Sequence, residues 1–363
     1  MDRKGSRPNA TVAILALSHP HLCNEPMLRS ATWRLNVITA SALLVLTLTD
    51  AVHSGFASER LPRPPGQLVD VGGQRIHLDC TGSGSPTVVF ENGAGDFSMV
   101  WSLVQPGVSA FTRACSYDRA GYAWSDPGKT PRTYDQIALE LFTALHRAGE
   151  HGPLVLVGQS FGGLLVREYA RRYAKEVAAV LLVDAVHEDE RIDMGNGKPQ
   201  RIRDSAKGRA TPPSRIVPDS TLIALRHSIV SPQVDTAPLE SPLDRISHPL
   251  QDVWRLASAD SVYRLSWAAE MDWSPEELQR MHDERLRDRA TLGNMPLVVI
   301  SRAPGGRSDS LATERAALQR DLVALSHHAR HVVATRAGHN VHLEEPGLVI
   351  DNVRKLVLGV RGS

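Results

Sequence analysis

Short apolar runs bounded by glycine and proline alternate along this chain with stretches in which apolar residues return every three or four positions. Gln67–Val71 and Gln74–Cys80 flank Gly72-Gly73, an arrangement that predicts a β-hairpin. Pro86–Glu91 and Ala114–Asp118 read as further strands, the first of them buried. From Thr133 to Ala148 the positions Ile137, Leu141 and Leu145 fall on one helical face. Pro153–Val157 and Val177–Val183 are strands again, separated by the helical stretch Leu164–Tyr173. After His187 the alternation stops, and no strand run returns until Pro296–Ser301. Helix Leu311–Leu325, strand His331–Thr335 and helix Gly347–Leu358 then close the pattern. Strands alternating with helices predict a mostly parallel sheet covered by helices on both faces. The interruption predicts a helical cap inserted after the sixth strand. The chain accordingly divides into an N-terminal segment (1–57), a Pro-rich linker (58–66), the first half of the core (67–186), the cap (187–293) and the second half of the core (294–363).

The junction between the strand ending at Val157 and the helix beginning at Leu164 reads Gly158-Gln159-Ser160-Phe161-Gly162-Gly163. A strand, a G-x-S-x-G turn and a helix in that order form a nucleophile elbow, which lifts the serine out at the carboxyl edge of a sheet. The turn is too tight for side chains at Gly158 and Gly162. A serine hydroxyl is a weak nucleophile until a base takes its proton, and a histidine stands in place for that. His339 follows Gly338 on the loop after the strand His331–Thr335.

These features, from Gln67 to Leu358, resemble the α/β-hydrolase superfamily. More narrowly, the chain is similar to a bacterial group of exported or membrane-anchored members. The similarity rests on Leu68-Val69-Asp70-Val71-Gly72-Gly73, Cys80-Thr81-Gly82, Trp101-Ser102-Leu103-Val104-Gln105-Pro106, Tyr117-Asp118-Arg119-Ala120-Gly121-Tyr122 and Trp124-Ser125-Asp126-Pro127-Gly128. The resemblance implies a serine hydrolase with Ser160 as nucleophile and His339 as base. It offers two places for the acid: the end of the sixth strand, which holds Asp184, and the loop after the seventh, where Asp309 lies late. Asp184 is the expected partner of His339 because it ends a strand beside the elbow, with Asp309 as the alternative. The oxyanion donors implied are the N–H groups of Phe161 and Ala94. Asn92 stands where histidine is common, which should remove one loop-orienting side chain. Asp118 and Arg119 are expected to brace the oxyanion loop, and His342 to be structural. The implied reaction is hydrolysis of a carboxylic ester, a small-molecule substrate, with amidase, thioesterase or acyltransferase chemistry, or ligand binding without catalysis, as alternatives. A serine at the elbow argues against the dehalogenases and epoxide hydrolases of the superfamily, which use aspartate there. No cofactor or metal is called for.

Composition changes this picture little. A formal net charge of +1 over 363 residues gives no electrostatic case for nucleic acid. The apolar run Leu35–Thr49, preceded by Arg29 and Arg34, is short for a membrane span and suits the core of a signal peptide, with Gly55-Phe56-Ala57 as a cleavage site. It leaves export and membrane anchoring both open, and Met27 is an alternative start. Cys80 and Cys115 fall on strands that are sheet neighbours in the resembled fold, so they can pair in an oxidising compartment or remain buried thiols. Within the cap, Arg191–Arg215 reads as a polar loop, and Ser274-Pro275-Glu276-Glu277 as a helix start with Ser274 as N-cap. Trp254, Trp267 and Met271 belong to an apolar group expected to roof the substrate pocket.

Overall fold

The computed structural model describes residues 61–192, 198–207, 237–303 and 310–362, all within one compact unit, Ser58–Ser363. In chain order the described strands are β1 (Gln67–Asp70), β2 (Arg75–Thr81), β3 (Thr87–Glu91), β4 (Ala114–Tyr117), β5 (Leu154–Gln159), β6 (Val177–Val183), β7 (Arg191–Ile192), β8 (Gln200–Arg201), β9 (Leu297–Arg302) and β10 (Ala329–Ala334). Eight of them form one sheet in the order β1-β2-β4-β3-β5-β6-β9-β10. β1 and β2 pair antiparallel, as do β2 and β4, and every pairing from β4 to β10 is parallel. The described helices are α1 (Gln105–Ser109), α2 (Tyr134–Arg147), α3 (Gly162–Arg172), α4 (His248–Ala259), α5 (Ser261–Arg287), α6 (Ser310–Asp321), α7 (Val341–Glu344) and α8 (Pro346–Arg361).

The two-residue period of the central strands feeds two cores. Leu154 and Leu156 of β5, with Val180 and Leu182 of β6, face Leu141 and Leu145 of α2 and Val166 and Tyr169 of α3. Val155, Val157, Leu181 and Val183 face the other way, toward Val108 of α1 and Val349, Val353 and Val357 of α8. Each such buried side chain contributes about 1.5–3 kcal/mol relative to leaving it exposed. α2 starts where its pattern starts, because the Thr133 hydroxyl accepts the Gln136 N–H at 3.1 Å. On the antiparallel flank Cys80 and Cys115 stand directly opposite each other in the β2–β4 register and are joined as a disulfide.

The cap occupies the interval between β6 and β9, and its main element differs from expectation. Ser274 does not cap a helix. α5 runs unbroken through Pro275, and its N-cap is Asp260, whose carboxylate accepts the Val262 N–H at 2.8 Å. Pro275 has no N–H to give, and a proline inside a helix costs about 3 kcal/mol or more. Contacts with the core outweigh that cost. Leu278 and Met281 pack with Tyr134, Ile137 and Leu164. The Tyr134 hydroxyl donates to Ser274 Oγ at 3.2 Å, and the Tyr134 N–H donates to Glu277 Oε1 at 3.3 Å. The two residues that read as a capping motif are thus turned toward the core.

Part of the region read as polar loop forms the short β7–β8 ladder. The end of the linker is fastened down: the carbonyl of Pro62 accepts from Trp124 Nε1 at 2.8 Å, and that of Pro65 lies 2.8 Å from His77 Nε2. Cys23, Met27 and the apolar run 35–49 lie outside the described residues. Among the described residues, no helix is long and apolar enough to cross a membrane.

Candidate active site

Ser160 sits between β5 and α3 with φ +53°. Both elbow glycines are dictated by contact. A Cβ on Gly158 would stand 2.4 Å from the carbonyl oxygen of Gly162, and one on Gly162 would stand 2.6 Å from the carbonyls of Glu91 and Asn92. The turn is tied to the neighbouring strand: Ser160 N–H donates to Val183 O at 3.1 Å, and Val186 N–H donates to Ser160 O at 3.0 Å. Asp184, which follows β6, is therefore carried alongside the serine. Its φ is +41°, a left-handed conformation that aspartate tolerates better than most residues. Ser160 and Asp184 are two of the three non-glycine residues with positive φ among those described. Backbone strain of this kind clusters at functional sites.

His339, on the loop after β10, bridges the two. Its Nδ1 lies 2.6 Å from Asp184 Oδ2 and its Nε2 lies 2.9 Å from Ser160 Oγ. A carboxylate can only accept, so Nδ1 carries the proton and Nε2 is free to receive one from the hydroxyl. Asp184 is held independently: its Oδ1 accepts the Arg302 N–H at 3.1 Å, and its own N–H donates to Ile300 O at 2.7 Å. The imidazole is 41% exposed while the carboxylate is only 5% exposed. His339 thus faces solvent more than Asp184 does. Asp309 lies outside the described residues.

The N–H groups of Phe161 and Ala94 donate to no described residue. The loop carrying Ala94 is braced from several sides. Arg119 Nη1 donates to Asn92 O at 2.9 Å and Nη2 to Gly93 O at 2.8 Å. Asp118 accepts the Ser98 N–H at 2.7 Å. Asn92 does orient the loop, contrary to expectation. Its Nδ2 donates to Tyr117 O at 2.8 Å and its Oδ1 accepts from Trp101 Nε1 at 2.9 Å, so the amide supplies both a donor and an acceptor. Asp96 on the same loop was not singled out in the sequence. Burial lifts its carboxyl to about 6, against the opposing pull of Arg119 and His339.

His342 is fully buried, its ring tilted against that of Trp101 at 4.8 Å, with neither ring nitrogen hydrogen-bonded. Burial, reinforced by His339, drives its pKa from 6.5 down to about 3. The unfolded chain therefore takes up a proton below pH 6.5 that the folded chain refuses down to about pH 3. Stability is unaffected above pH 6.5 and is lost as pH falls through that window, by about 1.4 kcal/mol per pH unit. His342→Leu should remove this loss: relative to wild type, its urea midpoint should improve between pH 8 and pH 5. Parallel midpoints at the two pH values would show that the ring is not held neutral.

A cavity of about 310 Å³ opens beside the acid, lined by Asp184, His339, Glu190, Arg302, Arg315 and Gln319. The three expected pocket residues do not line it. Trp254 packs edge-on against Phe97 at 4.7 Å. Met271 packs against the cluster that includes Tyr134 and Phe161. Trp267 is 43% exposed, with Nε1 4.0 Å from where a Cβ on Gly95 would stand, which puts it beside the loop that carries Ala94.

The sheet order, the elbow and the Ser160–His339–Asp184 arrangement define an α/β hydrolase. Residues 86–346 match the family model of the alpha/beta hydrolase fold, and the chain belongs to that family. It is 26% identical over 302 residues to an AB hydrolase superfamily protein of Gibberella zeae, covering 76% of this chain and 87% of that one. It is 26% identical over 153 residues to the uncharacterised Bacillus subtilis protein YbdG, covering 41% of this chain and 47% of YbdG, so the match spans about half of that relative's length. Among solved structures it is similar to the enol-lactonase of Burkholderia xenovorans, with a TM-score of 0.55 and 18% identity, covering 80% of this chain and 100% of that one. At that identity the likeness is one of fold.

Proposed function

We propose that the protein is a serine hydrolase that cleaves a small carboxylic ester through an acyl-enzyme. The observation that carries this reading is the hydrogen-bonded line from Asp184 through His339 to the Ser160 hydroxyl. Ser160 Oγ attacks the acyl carbon as His339 Nε2 takes its proton. Asp184 holds the imidazole in the required tautomer and stabilises the imidazolium. The charge developing on the carbonyl oxygen is met by the uncommitted N–H groups of Phe161 and Ala94; one such donor is typically worth about 2.7–4 kcal/mol. His339 then protonates the departing alcohol, and water, activated by the same nitrogen, releases the acid.

A fluorophosphonate probe tests the reading. It should label Ser160, and the labelled protein should no longer hydrolyse p-nitrophenyl esters. A protein that hydrolyses none of the acetyl-to-palmitoyl series and stays unlabelled is a binder rather than an enzyme. The exposed indole of Trp267 beside the oxyanion loop favours apolar acyl or alcohol groups.

The proposal also places the protein outside the cytoplasm, exported or tethered to the membrane through residues 35–49. The Cys80–Cys115 disulfide supports an oxidising compartment.

A further inference from the structure

The cap helix presents an unusual face to the core. Tyr263, Ser266 and Glu270 recur at i, i+3 and i+7 and so share one side of α5. That side meets the oxyanion loop and the turn after β4. The Tyr263 hydroxyl donates to the carbonyl of Gly95 at 2.9 Å. Ser266 fits against Gly121 so closely that a Cβ there would lie 1.9 Å from its hydroxyl. Glu270 is completely buried and takes Arg119 Nε at 3.2 Å through both carboxylate oxygens. It also accepts from the Tyr122 hydroxyl at 2.7 Å and lies 3.7 Å from Arg132.

The direction of these bonds matters. The guanidinium is a rigid plane with donors on three edges. Glu270 takes the Nε edge and Glu91 at the end of β3 accepts from Nη1 at 2.8 Å; between them they aim the two Nη groups at Asn92 O and Gly93 O. Those two peptides lead directly into the Ala94 N–H, and Gly95 follows it. The cap therefore grips the short loop on both sides of the proposed oxyanion donor, through Tyr263 after it and through Glu270 and Arg119 before it.

We propose that Tyr263 and Glu270 are positioning residues that aim the Ala94 N–H, so that the oxyanion site is fully assembled only while the cap is seated. The inference rests on the ester-hydrolase reading above. It makes the cap part of the catalytic apparatus as well as a cover. A cap that lifts to admit substrate releases both grips at once, and the donor is restored when it closes over a bound ester.

Tyr263→Phe isolates the effect, because it keeps the ring that packs against Phe97 and Tyr122 and removes only the hydroxyl. On a p-nitrophenyl ester, kcat should fall about tenfold while KM stays within about twofold. Inhibition by an alkylboronic acid, whose tetrahedral adduct on Ser160 carries the oxyanion, should weaken by the same factor. Glu270→Gln keeps the shape of its side chain and removes the cap's charge from Arg119, leaving Glu91 as its carboxylate partner; it should show the same paired loss. Wild-type kcat in Tyr263→Phe, or a loss of kcat without a matching loss of boronate affinity, overturns the proposal. So does a rise in KM that accounts for the whole effect. Ser160→Ala is the control: if it retains activity the ester-hydrolase reading has failed, whereas a dead Ser160→Ala beside a fully active Tyr263→Phe sinks the positioning role alone.

Discussion

Ser160→Ala should abolish ester hydrolysis and leave the fold in place. The alanine keeps every backbone bond that ties the elbow to β6, since Ser160 uses its N–H and C=O for those and its hydroxyl only for His339. In a serine-protease precedent the loss of nucleophile or base alone is on the order of 10⁶-fold in kcat, about as much as the loss of the whole triad. His339→Ala should therefore fall to a similar floor, and the double variant should be little worse than either single one. Turnover of p-nitrophenyl acetate, measured beside the melting temperature, is the check. A folded Ser160→Ala that retains most of its activity overturns the mechanism, and losses that multiply in the double variant would mean that the two residues do not act as a unit.

The second large effect is expected at the acid. Asp184→Asn should cut kcat by roughly 10⁴-fold, the size seen when an amide replaces the carboxylate of a serine-protease triad. An asparagine keeps an oxygen for the Arg302 N–H but can turn its NH₂ toward His339. The imidazole then presents Nδ1 as acceptor and Nε2 as donor, and a protonated Nε2 cannot take the serine proton. Asp309→Asn, measured in parallel, should change little. Near-normal activity in the first variant with collapse in the second would transfer the role to Asp309.

The parts of this molecule that were readable in its sequence are those whose causes are local. Gly158 and Gly162 are fixed by contacts within a few residues of the serine or with the adjacent strand, so the elbow appears as a motif. Asp184 stood out because a charged residue closes an otherwise apolar strand. The strands themselves followed from their apolar runs, because both faces of the central sheet are covered. The cap was misread for the opposite reason. Its long helix turns Tyr263, Ser266, Glu270, Ser274 and Glu277 toward the core, where the Gly95 carbonyl takes Tyr263, Arg119 and Tyr122 of the turn after β4 take Glu270, and Tyr134 of α2 takes Ser274 and Glu277. A search for an apolar face passes over such a stripe, and it took Ser274-Pro275 for a beginning. Glu270 and Arg119 are 151 residues apart, so no spacing rule joins them. Asn92 was judged by the histidine it replaces, although its amide makes two bonds that hold the loop. A glutamate at an otherwise apolar helix position, as in Ala268-Ala269-Glu270-Met271, was the one local hint that a buried cation waits elsewhere.

The left-handed backbone at Ser160 sets two demands on the gene in opposition. Glycine would occupy φ +53° without steric strain, at an entropic cost of about 0.5–1 kcal/mol, while a side chain there holds the chain in a conformation costing about 1–3 kcal/mol. Backbone strain alone would therefore favour glycine at this position, and on the proposed mechanism it is the reaction that requires a hydroxyl there. On the proposed mechanism, position 160 thus trades stability against turnover: Ser160→Gly should relieve the strained backbone while abolishing hydrolysis, read as a raised melting temperature beside lost activity.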